Sequence, residues 1–78
     1  MTMSDAKIVD ARGSFCPGPL MELIAAIKMI GVGEDLEILS TDKGSADDIP
    51  EWVKKVGHTL VASFEEQGVY HLRIRRAK

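Results

Sequence analysis

The sequence predicts an α/β fold: a two-layer sandwich of βαβαββ order, with two helices on one face of a mixed four-stranded sheet. Three observations predict it. Two segments with apolar residues at helical spacing alternate with short strand-like runs. Each of these segments is long enough to be a crossover between parallel strands, and right-handed crossovers place both helices on the same face. The last two strand-like runs are separated only by Gln67-Gly68, a hairpin turn. A chain of 78 residues holds one domain at most, so residues 1–78 are expected to form a single unit whose core uses most of its apolar side chains.

The elements follow in order. "AKIVDA" (6–11) is a mixed run around Ile8 and Val9, ended by Arg12-Gly13, and reads as a strand. Pro17 to about Ile30 carries Leu20, Leu23, Ile24, Ile27 and Ile30 at intervals of three and four, the apolar stripe of a helix. Gly31 and Gly33 stop it, a glycine there being free to take the left-handed turn. "DLEILST" (35–41) is a second strand, apolar at Leu36, Ile38 and Leu39. A second helix covers about Ala46 to Val56, with Ile49, Trp52, Val53 and Val56 on one face and Gly57 as its stop. Ser45 with Asp48 resembles a capping box. Pro50 removes a backbone donor, so an irregular first turn or a start nearer Asp48 is expected. "HTLVASFEE" (58–66) and "VYHLRIRRA" (69–77) are the hairpin strands, with Leu60, Ala62 and Phe64 facing inward from the first and Tyr70, Leu72 and Ile74 from the second.

Composition narrows the function. Hydrophobic residues make up 45% of the chain, too many for a disordered protein. No apolar run approaches the roughly 20 residues that span a bilayer, so no membrane association is expected. The opening Met1-Thr2-Met3-Ser4-Asp5 lacks the basic-then-apolar pattern of a secretory signal, and a single cysteine makes no internal disulfide, so a cytoplasmic location is expected. The net charge of −2 gives no general argument for nucleic acid. Its distribution is uneven. Residues 34–51 carry seven acids against Lys43 alone, whereas the last six residues carry Arg73, Arg75, Arg76 and Lys78. That basic end is either a docking surface for an acidic partner or a strand edge kept soluble by its charges.

The chemistry points to Cys16. It stands at or beside the N-cap of the first helix, with Pro17 read at N1 and Pro19 at N3. On that reading only Gly18 can donate a backbone N–H to the sulfur. The helix dipole then favours a thiolate, while sparse capping leaves it free to attack. Gly18 keeps bulk away from the sulfur. The alternative is a buried cysteine acting as a small hydrophobe. A dithiol redox pair needs a second cysteine, which the chain lacks. A papain-like site needs His and usually Asn or Asp beside the thiol; the chain contains no Asn, and His58 and His71 lie far down the sequence. Cys16 with two scattered histidines is a poor zinc site, and no metal or other cofactor is expected. Gly13-x-x-x-x-Gly18 lacks the Lys-Ser/Thr of a phosphate loop. What remains is a lone nucleophilic thiol without an evident base, suited to accept a group on sulfur and pass it on.

These residues resemble the TusA (SirA-like) sulfur-carrier family, whose hallmark is Cys-Pro-x-Pro at the head of the first helix after a strand ending in Asp-x-x-Gly. The matching stretch is Asp10-Ala11-Arg12-Gly13-Ser14-Phe15-Cys16-Pro17-Gly18-Pro19, and a second element matches Asp42 and Asp48-Ile49-Pro50. Ser14 departs from the leucine common there, which bears on local packing. The resemblance implies a fold like the C-terminal domain of translation initiation factor three. It implies a persulfide carried on Cys16, taken from a cysteine desulfurase or rhodanese-like donor and relayed to an acceptor protein in tRNA thiolation, cofactor assembly or sulfur oxidation. Motif support then falls to Asp10, Gly13, Pro17, Gly18 and Pro19. If the first two strands are adjacent and parallel, the 42–45 loop lies beside Cys16, and Arg12 and Lys43 are candidate persulfide stabilisers. A monomer is expected. The rival reading is a non-catalytic regulatory or protein-interaction module of the same fold. An RNA-binding domain has only fold analogy and the basic strand behind it, so direct nucleic-acid binding is not expected.

Overall fold

A computed structural model describes residues 7–78 and has the expected βαβαββ order. The elements are β1 (Lys7–Asp10), α1 (Gly18–Ile27), β2 (Asp35–Ser40), α2 (Lys43–Val56), β3 (Thr59–Glu66) and β4 (Val69–Arg75). Ala6, the first residue of the predicted strand, and the opening Met1-Thr2-Met3-Ser4-Asp5 lie outside the described residues. The sheet order is β1-β2-β4-β3. β1 and β2 are parallel; β4 runs antiparallel to both β2 and β3. α1 packs on β1 and β2, and α2 on β2, β3 and β4. One core forms between the layers, from Val9, Leu36, Ile38, Leu72 and Ile74 of the sheet and Leu23, Ala26, Ile27, Ile49 and Val53 of the helices.

The period of two explains the sheet. In β2, Leu36, Ile38 and Ser40 are buried while Asp35, Glu37 and Leu39 turn to the other face. Their β4 partners Ile74 and Leu72 are likewise buried, and Tyr70 packs against the core, as expected. β3 departs from expectation. Of Leu60, Ala62 and Phe64, only Ala62 is half-buried, and Phe64 is 51% exposed. Two causes combine. β3 is the edge strand, and a bulge lies between Leu60 and Ala62, so that Leu60 pairs with Ile74 but Ala62 pairs with Arg73. The extra residue reverses the alternation. Phe64 therefore lies across from His71 on the face away from the helices, stacked on its ring at 4.7 Å. The hairpin turn itself is as predicted, with Gln67 and Gly68 both at positive φ.

The helix ends shift by a few residues. α1 stops at Ile27 instead of about Ile30, after which Met29 N–H bonds to the Ala26 carbonyl at 2.9 Å and Ile30 still reaches the core. The left-handed residue is Gly33, in the turn beyond the helix. α2 starts at Lys43, three residues before Ala46, because Asp42 caps it by accepting from Ser45 N–H at 3.0 Å. Ser45 is thus N3 of the helix, not its cap, and Asp48 belongs to the second turn. Pro50 sits inside α2. Gly57 ends the helix in the left-handed conformation, as expected. His58 precedes β3: its N–H bonds to the Val53 carbonyl, and its ring Nδ1 accepts from Ala77 N–H.

The basic end is largely committed within the fold. Arg73 and Arg75 both bond to Asp35, and Arg76 donates to the Ile30 carbonyl. Burial of Asp35 opposes these bonds, but the Arg75 hydrogen bond outweighs it and holds the Asp35 carboxyl below the usual range. Among the described residues no helix is long and apolar enough to cross a membrane.

Candidate functional site

Parallel pairing of β1 with β2 sends both following connections to the same end of the sheet, and there the site is built. Ala11 N–H bonds to the Leu39 carbonyl at 2.9 Å and Gly13 N–H to Thr41 Oγ1 at 3.0 Å. Gly13 holds φ +86, a backbone conformation that suits glycine. Cys16 N–H then donates to Asp42 Oδ2 at 3.0 Å. That one oxygen also accepts Ser45 N–H at 3.0 Å and the Ser45 hydroxyl at 2.8 Å. Asp42 therefore fastens the β1–α1 loop to the head of α2. A Cβ at Gly44 would lie 3.5 Å from Asp42 Oδ2 and 4.0 Å from Cys16 Cβ, ordinary contact distances, so the loop and the head of α2 meet closely without crowding.

Cys16 is exposed, which removes the reading of a buried hydrophobe. It lies beside the N-cap of α1, which is Pro17; Gly18 and Pro19 are N1 and N2. Pro17 and Pro19 lack an N–H, and Gly18 gives its own to the Phe15 carbonyl at 2.7 Å. No side chain caps α1. The expected bond from Gly18 to the sulfur is thus absent, and the space around Gly18 belongs to Ser14, whose Cβ would be 3.4 Å from an added Cβ. Pro19 is buried, so its ring also packs.

The sulfur faces α2 instead. Cys16 Sγ donates to Asp48 Oδ2 at 3.2 Å. This hydrogen bond, with some desolvation and the negative charges of Asp48 and Asp42, pushes the Cys16 thiol up; the Ser45 hydroxyl acts weakly in the opposite sense. The thiolate expected from the dipole of α1 is thus opposed by a carboxylate contributed from 32 positions downstream.

The remaining predicted residues are placed as follows. Arg12 forms a two-pronged pair with Asp10, Nε to Oδ1 and Nη2 to Oδ2, both at 2.8 Å, and its side-chain hydrogen bonds pull the Asp10 carboxyl down to about 2. Lys43 lies 3.6 Å from Asp47. The charged groups brought to Cys16 itself are Asp42 and Asp48. His71 pairs with Glu37 on the far face of the sheet. Phe15, next to Cys16 in the chain, and Met21, in the first turns of α1, are exposed at 77% and 60%. Sequence reasoning assigned no role at the sulfur to Asp42, Ser45 or Asp48, although Asp42-x-x-Ser45 already has the spacing of an N-cap and its N3 donor.

Comparison with known proteins bears on the chain as a whole. The family described as Sulfurtransferase TusA matches residues 7–76. A protein of Archaeoglobus fulgidus called a putative sulfur carrier protein is 54% identical over 71 residues, spanning 91% of this chain and 97% of its own length. The sulfur carrier protein TusA of Pseudomonas aeruginosa is 38% identical over 76 residues, spanning 97% of this chain and 96% of its own. The crystal structure of a SirA-like protein from Desulfitobacterium hafniense superposes with a TM-score of 0.79 over 91% of this chain and 97% of that one, at 20% identity, and supports the fold.

Proposed function

The chain belongs to the TusA sulfurtransferase family and is a sulfur carrier, and we propose that Cys16 is the residue that carries the sulfur, as a persulfide. The observation that supports this most is the exposure of the only cysteine of the chain on a loop fastened at both ends. In loading, the Cys16 sulfur attacks the outer sulfur of a donor persulfide; the new S–S bond forms as the donor's S–S bond breaks, and the donor leaves as a thiolate. In delivery, an acceptor thiolate attacks the outer sulfur on Cys16 and Cys16 leaves. Both partners must reach the same sulfur, which suits an exposed loop better than a deep pocket. A cysteine desulfurase or rhodanese-like protein fits the first role and a thiol-bearing acceptor protein the second. A carrier thiol needs a reducing compartment, which agrees with the cytoplasm.

The test is intact-mass measurement after incubation with a cysteine desulfurase and cysteine. The wild type is expected to gain the mass of one sulfur atom, lost on reduction, and Cys16→Ser to gain none. Cys16→Ser should remain folded, because the bond to Asp42 comes from the backbone N–H. Loading retained in Cys16→Ser would overturn the assignment. No loading of either protein, with partner binding intact, would favour an interaction module.

A further inference from the structure

We propose that Asp48 is the proton partner of Cys16 in sulfur transfer: it holds the resting thiol, takes its proton as the sulfur attacks, and restores it when Cys16 leaves. This rests on Cys16 being the transferring residue, but it can be tested on the thiol alone.

A lone thiol with no His beside it still needs somewhere to put its proton. The Asp48 carboxylate is in contact with it, Sγ to Oδ2 at 3.2 Å. Asp42, the other carboxylate at the sulfur, already holds three donors on Oδ2 and is spent on fastening the loop. Asp48 has Cys16 as its one side-chain hydrogen-bond partner among the described residues and takes part in no ion pair there. It is exposed, so a proton it accepts can pass on to solvent or to a docked sulfur. The nearby cations are engaged elsewhere, Arg12 of the β1–α1 loop with Asp10 and Lys43 of α2 with Asp47. Ser45 points its hydroxyl at Asp42.

The proton balance closes. In loading, Cys16–SH and a donor R–S–SH become Cys16–S–SH and R–SH: the Sγ–H proton goes to Asp48 as the S–S bond forms, then to the departing donor sulfur. In delivery the acceptor's thiol proton travels the reverse route, through Asp48 to Cys16 Sγ. No oxidant or reductant is consumed, because one sulfane sulfur changes hands between thiols.

The experiment is the rate of Cys16 alkylation by iodoacetamide as a function of pH, for wild type, Asp48→Asn and Asp48→Glu. A thiol assisted by a carboxylate reacts at a pH-independent rate between the titrations of the two groups, whereas an unassisted thiol reacts only as thiolate and slows about tenfold per pH unit below its midpoint. The wild type is expected to show a shoulder on the acid side. Asp48→Asn should lose the shoulder, react about tenfold more slowly in acid, and follow a single titration with a lower midpoint. Asp48→Glu should recover part of the shoulder. A purely structural role would change neither the number of limbs nor the acid slope. The same single titration in wild type and Asp48→Asn, or an unmoved midpoint, would overturn the proposal. Failure of the persulfide reading would show separately, as no gain of mass with the alkylation profiles unaffected.

Discussion

Replacing Ser45 by alanine probes the junction on which the site depends. The Ser45 side chain is fully buried, and its hydroxyl donates to Asp42 Oδ2 at 2.8 Å. Hydrogen bonds to charged groups contribute about 1.5–3 kcal/mol. The backbone N–H of residue 45 still caps in the variant, and alanine gains about 0.5 kcal/mol of helix propensity over serine. The net loss should therefore be about 1–2 kcal/mol, which for a domain of this size lowers Tm by about 5–10 °C. Urea unfolding followed by the fluorescence of Trp52, the sole tryptophan, which packs against the core, reads this directly. The midpoint should fall with an unchanged m-value.

The pH dependence supplies a second check. Asp42 is held below the usual carboxylate range, first by the Ser45 side-chain hydrogen bond. A depressed native pKa means stability that is present above the unfolded value near 3.9 and lost as pH falls through the native one. Removing the hydroxyl raises the native pKa, so the gap between wild type and Ser45→Ala should be full at neutral pH and close in acid. A stability loss below about 0.5 kcal/mol, within the range of ordinary surface changes, or a gap that does not narrow in acid, would refute the junction as described.

Other substitutions test the frame that holds the site. Asp35→Asn removes the shared acceptor of Arg73 and Arg75; with Asp35 11% exposed and the arginines partly solvated, about 1 kcal/mol should be lost at neutral pH, less in high salt, and nothing at a pH where Asp35 is protonated in both states, as read by urea midpoints. Gly57→Ala must hold φ +90 at the end of α2, where a side chain costs about 1–2 kcal/mol; a Cβ there also meets Lys78 Cε at 2.6 Å, a flexible end that can move away, so an equal loss in a Lys78→Ala background would assign the cost to the backbone. Pro19→Ala should lower the urea midpoint through lost burial, because Pro19 lies at N2, where an added N–H has no defined partner in the capping pattern of α1; an unchanged midpoint would leave the proline without a packing role.

What the sequence discloses about this fold follows from the range of the interactions concerned. The helical stripe of α1, the alternation in β2 and the Gln67-Gly68 turn are properties of a few consecutive residues, and they are where the sequence places them. The inward face of β3 is not. Val61 is one more β-branched residue in a strand-like run, and nothing local distinguishes a bulge from a continued alternation, yet the bulge sends Phe64 to the opposite face. The start of α2 is misplaced for a different reason: Pro50 is a strong local signal, but Asp42, with two bonds from Ser45 and one from Cys16, stabilises three further residues of helix ahead of it.

The site divides along the same line. Position and exposure of Cys16 follow from the Cys16-Pro17-Gly18-Pro19 stretch, but its protonation does not. The prolines remove donors from the head of α1, and the turn consumes the N–H of Gly18. That end is left with few donors to hold an anion through direct hydrogen bonds, and its dipole acts largely without them. A carboxylate in contact with the sulfur opposes it. The two features act in concert: without local donors the thiol's proton is governed from α2, by a residue whose proximity exists only once β1 and β2 have paired. Reactivity of Cys16 is thereby coupled to the folded junction, and partial opening of the α2 head, as in Ser45→Ala under mild urea, should lower the pH at which the thiol titrates toward that of an unstructured cysteine. Alkylation profiles measured below the global unfolding midpoint would show this as loss of the acid-side shoulder together with a lower titration midpoint, as in Asp48→Asn, and an unchanged profile would mean that Asp48 stays with the sulfur when the cap of its helix is weakened.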